Sequence, residues 1–251
     1  MKLEKSNLIV TRSYKEVYQC EDSIVKVFAE SHPKSAVFNE ALNTVRVEET
    51  GLAIPKLKEV TQIDGKWALV IEHKDGKTLE EMMKVDPANI EKYMSDFVDM
   101  QLTIQEKKAP MLNDLKEKLA RQINSLTVLD ATQRYELRTR VESMPKHTKI
   151  CHGDYNPSNV IVGKNGKMTV IDWAHASQGN ASADAAMTYL LFALHDQESA
   201  DLYLKLFCKK SDTARQYVEQ WLPIVAAAEL GKDIRLEKDF LMKWIDVMEY
   251  E

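Results

Sequence analysis

The chain has 251 residues, of which 44% are hydrophobic and 29% are charged, and its formal net charge at pH 7 is −5. These proportions are those of an ordinary globular protein. They exclude a disordered chain, a collagen-like chain and a basic protein that coats nucleic acid. The length is sufficient for one large domain or for two lobes with a substantial core.

Three widely spaced cysteines, Cys20, Cys151 and Cys208, give neither a disulfide framework nor a paired metal-ligand motif. The first ten residues (MKLEKSNLIV) lack the apolar core of a signal peptide. The longest uncharged apolar run, Ala185–Leu194, is about half as long as a membrane span. We therefore expect reduced thiols, a cytoplasmic location, and neither a nucleic acid nor a membrane as partner.

Short β-like runs and turns alternate over residues 7–73. The runs NLIV, EVYQC, SIVKVF and WALVIE are rich in Val and Ile and are short enough to be strands. Between the third and the fourth run, Ser35–Thr50 carries apolar residues at spacings of three and four, which predicts one amphipathic helix that Gly51 ends. The pair Asp64-Gly65 predicts a hairpin turn. The resulting pattern is β-β-β-α-β-β, a small and mostly antiparallel sheet with one helix.

From Thr78 onward, helical periodicity dominates. The predicted helices are Thr78–Lys84, Ala88–Lys107, Leu112–Leu126, Ala131–Ser143, Ala183–His195, Glu198–Cys208, Thr213–Leu230 and Leu236–Tyr250. Two β-like runs, Lys149–Val162 and Met168–Asp172, interrupt the helices. We place the boundary between the lobes near residues 72–76. This predicts an N-terminal lobe of residues 1–73 and a C-terminal lobe of residues 74–251.

The segment KICHGDYNPSNVIVGKNGKMTVIDWAHA concentrates polar residues at a definite spacing. Asn159 follows Asp154 by five residues, and Asp172 follows it by 18. A turn at residues 164–167 joins two β-like pieces, so a hairpin would bring Asn159 and Asp172 to the same end. Amide and carboxylate oxygens suit Mg²⁺, and a nearby carboxylate can accept the proton of an attacking hydroxyl. The spacing therefore points to phosphoryl transfer, with Asp154 as the proton acceptor.

Two charged residues upstream fit the same chemistry. Lys26 lies in the middle of the apolar run IVKVF, where a lone lysine needs a partner. Glu40 follows 14 residues later on the predicted helix, so we expect an ion pair that directs the ammonium group toward nucleotide phosphates. Taken singly, Lys26 fits an edge-strand charge, Glu40 a solvated helix face, and Asp154 a turn cap. Their combination with Asn159 and Asp172 favours the kinase-like interpretation.

The motif HGDYNPSN, followed by VIDW, closely resembles the aminoglycoside phosphotransferase and choline kinase family of protein-kinase-like small-molecule phosphotransferases. EVYQCEDSIVKVF, the helix with Glu40, ALVIEHKDGKTL and GNASADAA extend the resemblance over most of Val10 to about Leu194. The resemblance implies an α+β, protein-kinase-like bilobal fold with a small antiparallel β-sheet in the N-lobe and a mainly helical C-lobe. It also implies transfer of the γ-phosphate of ATP or GTP to a small-molecule hydroxyl, with Mg²⁺ as cofactor.

The resemblance implies roles for individual residues of the catalytic segment. Asp154 would be the catalytic base, and His152 would hold the catalytic loop. Asn159 and Asp172 would bind Mg²⁺. Asp184 would be a structural acid at the beginning of the following helix.

The resemblance also implies how nucleotide is bound. Lys26 would bind the α- and β-phosphates and Glu40 would orient it, while Glu72 and His73 would offer backbone groups to the adenine. The phosphate loop would be TRSYK, between the first two strands. It has no glycine, so its backbone approaches phosphates less freely, and Ser13 with local amides is the candidate contact. This departure keeps open a second function, that of a catalytically inactive, kinase-like regulator that binds nucleotide.

The sequence leaves the acceptor open among aminoglycosides, choline-like amines, sugars and amino-alcohols. Residues 174–251 contain 13 acidic and 8 basic residues, so all of the net negative charge lies there. An acidic pocket in this part would attract a cationic acceptor; the alternative is a set of solvated helix faces. A protein kinase is disfavoured, because about ten residues between Asp172 and the helix near Ala183 leave no room for an activation segment. We expect a monomer or a weak homodimer.

Overall fold

The computed structural model of the protein describes residues 3–231 and 238–246. Its first part contains a five-stranded sheet in the order β1-β2-β3-β5-β4, in which every neighbouring pair is antiparallel. The strands are β1 (Leu8–Thr11), β2 (Lys15–Cys20), β3 (Ser23–Phe28), β4 (Leu57–Ile63) and β5 (Lys66–Glu72). The helix α1 (Lys34–Glu48) separates β3 from β4. The predicted β-β-β-α-β-β order is therefore confirmed.

The hairpin between β4 and β5 turns where the sequence predicts it. Ile63 pairs with Lys66, and both turn residues are left-handed, with φ of 49° at Asp64 and 79° at Gly65. Two successive left-handed residues define the turn type whose twist matches that of paired strands, and Asp-Gly is one of its preferred sequences.

Alternation along β3 divides its side chains between the two faces of the sheet. Val25 and Val27 belong to one apolar cluster, whereas Phe28 packs in another with Val37 of α1. Because successive strand residues point to opposite faces, Lys26 lies on the same face as Phe28, which is the face that α1 covers. A lysine in this run is therefore directed at the helix rather than at solvent.

A second small sheet has the order β6-β8-β9, formed by β6 (Lys77–Thr78), β8 (Val160–Val162) and β9 (Met168–Val170). β8 and β9 make the predicted hairpin, with Gly166 left-handed in its turn at a φ of 75°. A Cβ atom on Gly76 would lie 2.4 Å from the carbonyl oxygen of Val162, so glycine permits the approach of β6 to β8. The helix α2 (Leu79–Val85) follows β6 directly.

The chain divides into two compact units in a way that differs from the expected division after residue 73. The first unit comprises the chain up to Val85 together with Pro157–His175, and the second comprises Asp86–Asn156 and the chain from Ala176 onward. The β8–β9 hairpin belongs to the first unit because β8 pairs with β6. The two-residue strand β6 is too short to leave a period in the sequence.

The second unit is mainly helical. Its helices are α3 (Ile90–Gln105), α4 (Leu115–Asn124), α5 (Ala131–Ser143), α6 (Ala181–Ala193), α7 (Gln197–Ser211), α8 (Arg215–Glu219), α9 (Leu222–Leu230) and α10 (Lys238–Asp246). Its two short strands, β7 (Lys149–Cys151) and β10 (Ser177–Gly179), pair antiparallel.

Two predicted helices near the C-terminus differ in extent from the structure. The single helix predicted over Thr213–Leu230 is wrong, because α8 ends before α9 begins. Pro223 stands in the first turn of α9, where its missing N–H and fixed φ suit a helix start and oppose a continuous helix. The helix predicted over Leu236–Tyr250 is described only as α10, and the rest of that range lies outside the described residues.

The longest apolar run of the sequence forms α6, the most buried helix of the second unit. Ala185 and Ala186 are fully buried, and α6 packs against α7 and α9. No helix in the part of the chain that the structure describes is long and apolar enough to cross a membrane.

Gly179 provides a test of packing in the second unit. A Cβ atom on Gly179 of β10 would lie 2.4 Å from Cβ of Leu115, which begins α4. We expect Gly179→Ala to lower the free energy of unfolding by about 1–3 kcal/mol, because neither backbone can move away freely. Urea denaturation measures the change. Gly231→Ala is the matched control, since its added Cβ would meet nothing closer than 3.4 Å; an equal loss in both variants would contradict the packing argument.

Candidate active site

A buried cluster of charged side chains lies in the first unit. Lys26 Nζ of β3 is 2.6 Å from Glu40 Oε1 of α1 and 2.8 Å from Asp172 Oδ1, just after β9. Lys26 and Glu40 are only 8% and 7% exposed. The predicted Lys26–Glu40 ion pair is therefore confirmed, and Asp172 is a second partner of the same ammonium group. Three separate segments of the chain meet at one lysine.

Asn159 and Asp172 lie at the same end of the β8–β9 hairpin, because Asn159 precedes β8 and Asp172 follows β9. The N–H of Ile171 donates to the carbonyl oxygen of Asn159 at 2.9 Å. Asp172 then adopts a left-handed φ of 62°, which turns the chain out of the strand. Aspartate tolerates this conformation better than most residues. The hairpin thus brings both predicted metal ligands to one end, as the spacing indicates.

The turn after Asp172 is held from both sides. The indole N–H of Trp173, which is 2% exposed, donates to the carbonyl oxygen of Val170 at 3.1 Å. Asn43 Nδ2 of α1 donates to the carbonyl oxygen of Ala174 at 3.0 Å. Helix α1 therefore positions Asp172 as well as Glu40.

Opposite charges set the protonation states in this cluster. Burial by itself would lower the pKa of Lys26, but the charges of Asp172 and Glu40 outweigh it and raise that pKa above its ordinary value. Burial would likewise raise the pKa of Asp172, but the charges of Lys26 and Lys15 hold it well below its ordinary value. Lysine and aspartate are both charged at neutral pH.

A cavity of about 450 Å³ opens beside this cluster, entirely within the first unit. Five of the predicted site residues line it, namely Lys26, Glu72, His73, Asn159 and Asp172. The apolar part of the wall includes Ile9, Val10, Val17, Ile24 and Ile71. Its volume lies within the range of small-molecule sites. Ser13 is exposed and is not among the described residues that line the cavity.

The strand end at Glu72 and His73 uses its N–H groups internally. The N–H of Glu72 donates to the carbonyl oxygen of Lys56 at 2.8 Å, and that of His73 donates to Asp22 at 2.9 Å. A hydrogen bond from Lys74 lowers the pKa of the Glu72 carboxyl. The backbone N–H groups of Glu72 and His73 are therefore not available to adenine. Their carbonyl oxygens are the backbone groups left to accept a hydrogen bond from a bound base.

The sequence reasoning missed three cationic residues of this cavity, Arg12, Lys15 and Lys74. Lys15 Nζ is 3.4 Å from Asp172 Oδ2. The signal was alternation along β2: Val17 pairs with Lys26, so Lys15, two residues earlier, shares the face of Lys26.

The loop that holds Asp154 belongs to the second unit and follows β7. The N–H of Asp154 donates to Nδ1 of His152 at 3.2 Å, and Asp154 Oδ1 accepts from Asn156 Nδ2 at 3.1 Å. His152 is fully buried, whereas Asp154 is half-buried. His152 therefore holds this loop by a hydrogen bond to its backbone, in the manner that the resemblance implies.

A buried network of hydrogen bonds also holds the loop that contains Asp154. Asp184 of α6 accepts the N–H of Gly153 at 2.8 Å and Nε2 of Gln101 at 3.2 Å, and Gln101 Oε1 accepts the hydroxyl of Tyr203 at 2.7 Å. Gly153 has a left-handed φ of 76°. Each of these groups has its partner, so the network fixes the backbone next to Asp154.

Several acidic residues of the C-terminal part have local structural roles. Asp196 caps α7 by accepting the N–H groups of Glu198 and Ser199 at 3.2 and 3.1 Å. Asp201 pairs with Arg215 at 2.9 Å. Of the other acidic residues in this part, Glu229 is half-buried, and Asp233 lies outside the described residues. Helix capping and local ion pairs thus account for part of the acidic excess.

The model of the phosphotransferase enzyme family matches residues 12–221. The chain therefore belongs to that family. No curated protein sequence matches the chain.

Solved structures with the same fold include aminoglycoside phosphotransferases and choline kinases. One is a thermostable mutant of aminoglycoside phosphotransferase APH(4)-Ia in ternary complex with ADP and hygromycin B. Its TM-score is 0.70 at 10% identity, and the match covers 96% of the present chain and 90% of the phosphotransferase chain. Choline kinase LicA from Streptococcus pneumoniae has a TM-score of 0.64 at 15% identity, over 96% and 90%. A choline/ethanolamine kinase family protein from Mesorhizobium loti has a TM-score of 0.62 at 14% identity, over 96% and 84%. The predicted α+β, protein-kinase-like fold is thus confirmed.

Replacing the central lysine tests the charged cluster. We expect Lys26→Met to lower the free energy of unfolding at pH 7 by about 3–5 kcal/mol, because buried carboxylates lose their shared cation. The depressed pKa of Asp172 means that its contribution to stability is present above pH 4 and is lost as the pH falls, by about 1.4 kcal/mol per pH unit. In Lys26→Met the pKa of Asp172 rises, so this slope becomes shallower.

Urea denaturation between pH 3 and pH 7 measures both effects. Lys77→Met is the matched control, since Lys77 is an exposed lysine of the same unit. Identical acid slopes for wild type and Lys26→Met would show that the cluster does not control the charge of Asp172.

Proposed function

We propose that this phosphotransferase moves the γ-phosphate of ATP or GTP to a hydroxyl group of a small molecule. The observation that carries the proposal is Lys26 Nζ, held between Glu40 and Asp172 at 2.6 and 2.8 Å on the wall of the 450 Å³ cavity. A buried ammonium group fixed by a helical glutamate is the arrangement that directs a lysine toward nucleotide phosphates. The complex of APH(4)-Ia with ADP and hygromycin B supports a nucleotide as co-substrate.

In this proposal the purine lies against the apolar wall of the cavity. Ile24 and Ile71 offer flat contact to the ring, and the carbonyl oxygens of Glu72 and His73 accept from its exocyclic amine. The triphosphate then extends toward Lys26, which pairs with phosphate oxygens. The apolar residues and Lys26 on the wall of the same cavity support this orientation. The assay below tests the preference between ATP and GTP.

We propose Asn159 and Asp172 as the ligands of Mg²⁺. Both side chains line the same cavity. Asn159 supplies an amide oxygen and Asp172 supplies an ionised carboxylate, and Mg²⁺ prefers oxygen ligands of these kinds. Asp172 is already paired with two lysine ammonium groups, so it is a carboxylate that holds cations and could exchange one of them for Mg²⁺. Bound Mg²⁺ would offset the charge of the β- and γ-phosphates.

We propose Asp154 as the catalytic base. Its carboxylate is oriented by Asn156, and its backbone is held by His152 and by the Asp184 network. Asp154 accepts the proton of the acceptor hydroxyl as that oxygen attacks the γ-phosphorus in line. The bond from the γ-phosphorus to the β–γ bridging oxygen breaks, so the products are a phosphate ester and the nucleoside diphosphate.

The acceptor that we propose is a small molecule with a free hydroxyl, from the aminoglycoside, choline-like amine or sugar classes. The names of the similar structures, which include choline kinases and a hygromycin B complex, support these classes.

The enzyme would act in the cytoplasm, as a monomer or a weak homodimer, without nucleic-acid or membrane partners. The unpaired Cys20, Cys151 and Cys208 fit a reducing compartment. The alternative of an inactive regulator rests on the glycine-free TRSYK turn alone.

An assay of nucleotide consumption against a panel of acceptors tests the proposal. We expect at least one aminoglycoside, amino-alcohol or sugar to raise ATP or GTP consumption by the wild type. Asp154→Asn should lower kcat by roughly 10²–10⁴-fold, the range for loss of a general base, while keeping the nucleotide-induced rise in Tm. Nucleotide binding without turnover across the panel, in wild type and variant alike, would instead favour the regulator.

The metal proposal is tested through binding rather than turnover. Asp172→Asn should abolish the part of nucleotide affinity that depends on Mg²⁺, because the amide is a weaker ligand than the carboxylate. Calorimetric titration with and without Mg²⁺ measures this difference. Asp64→Asn is the control, since Asn-Gly also suits the β4–β5 turn and should leave binding unchanged. An unchanged Mg²⁺ dependence in Asp172→Asn would remove Asp172 from the metal site.

A further inference from the structure

The turn between β1 and β2 is short and fixed. The N–H of Arg12 donates to the carbonyl oxygen of Lys15 at 2.8 Å, so only Ser13 and Tyr14 lie at its tip. The N–H of Ala29 donates to the carbonyl oxygen of Tyr14 at 2.9 Å, which ties the turn to the end of β3. None of residues 11–15, all of which are described, adopts a left-handed φ. This turn cannot fold its own amides over a phosphate chain in the way that a longer glycine-rich loop does.

Lys15 extends from the same turn into the cavity. Its side chain is 10% exposed, and Nζ is 3.4 Å from Asp172 Oδ2. The other oxygen of this carboxylate, Oδ1, is 2.8 Å from Lys26 Nζ. Each oxygen of Asp172 therefore faces a different lysine.

The register of the sheet explains why both lysines reach one carboxylate. Lys15 pairs with Phe28 and Val17 pairs with Lys26 across the β2–β3 ladder, so Lys15, Val17 and Lys26 are near neighbours on one face. Both lysines line the cavity together with Asp172. Two ammonium groups thus lie beside the space that a triphosphate would occupy.

The charges of the cluster are balanced as they stand, with Lys15 and Lys26 facing Glu40 and Asp172. Lys26 has Glu40 as a partner besides Asp172, whereas the acidic partner of Lys15 among the described residues is Asp172. If Asp172 turns to a metal ion, as in the function proposed above, Lys15 is left with an unpaired charge at the cavity wall. A phosphate group is the anion that would neutralise it.

We propose that Lys15 is a second phosphate-binding lysine, which supplies through its side chain the contact that the glycine-free turn cannot supply through its backbone. Without nucleotide it neutralises Asp172, and with nucleotide it pairs with phosphate oxygens. This inference rests on the proposed function, because it assumes that the cavity takes a nucleoside triphosphate.

Calorimetric titration of the full chain with Mg-ATP, Mg-GTP and the matching nucleosides tests the proposal. Lys15→Met should weaken binding of the preferred triphosphate by roughly ten- to a hundredfold, the effect of losing a charged hydrogen bond, and leave nucleoside binding unchanged. Lys15→Arg, which keeps the charge, should retain most of the affinity. Lys77→Met is the control for removing an exposed lysine from the same unit and should bind like the wild type.

Each outcome separates this inference from the proposed function. Wild-type affinity for triphosphate in Lys15→Met would overturn the role of Lys15 and leave the phosphotransferase proposal standing. Equal loss of triphosphate and nucleoside binding in Lys15→Met would make Lys15 a structural residue and overturn the inference as well. If the wild type binds neither Mg-ATP nor Mg-GTP, the proposed function and the inference fail together.

Discussion

The structure of the first unit depends on the need to compensate a buried ammonium group. Lys26 stands in an apolar strand where an isolated charge would be strongly unfavourable. Its two carboxylates come from a helix and from a hairpin far along the chain, at 2.6 and 2.8 Å. The β3 strand, α1 and the β8–β9 hairpin must therefore all be in place for the lysine to remain buried. The same requirement fixes where an anion bound in the cavity would find its positive charge.

Much of this arrangement could be predicted, because its signals are local. The alternation of β3, the period of α1 and the Asp64-Gly65 turn each define an element without help from the rest of the chain. Asn159 and Asp172 can be placed at one end of a hairpin because they flank two short strands that a turn joins. Lys26 and Glu40 could be paired because residues of opposite charge stood on adjacent elements.

The remaining features depend on contacts that no local pattern records. Lys15 approaches Asp172 across 157 residues of sequence, through the register of β2 against β3. The hydrogen bond from the His73 N–H to the carbonyl oxygen of Asp22 likewise forms only because the ends of two strands lie side by side. The division of the chain after residue 73 overlooked β6, whose two residues carry no period. The break between α8 and α9 did have a signal, in Pro223, which was outweighed by the apolar period on both sides.

The balance of two cations against two anions around Asp172 has a kinetic consequence. The cluster presents almost no net charge to the surrounding solvent, so it exerts little long-range attraction on an approaching polyanion. Its positive charge becomes available only after local ion pairs exchange partners. Encounter rates governed by such a cluster vary weakly with ionic strength, since screening acts mainly on the uncompensated field of a surface.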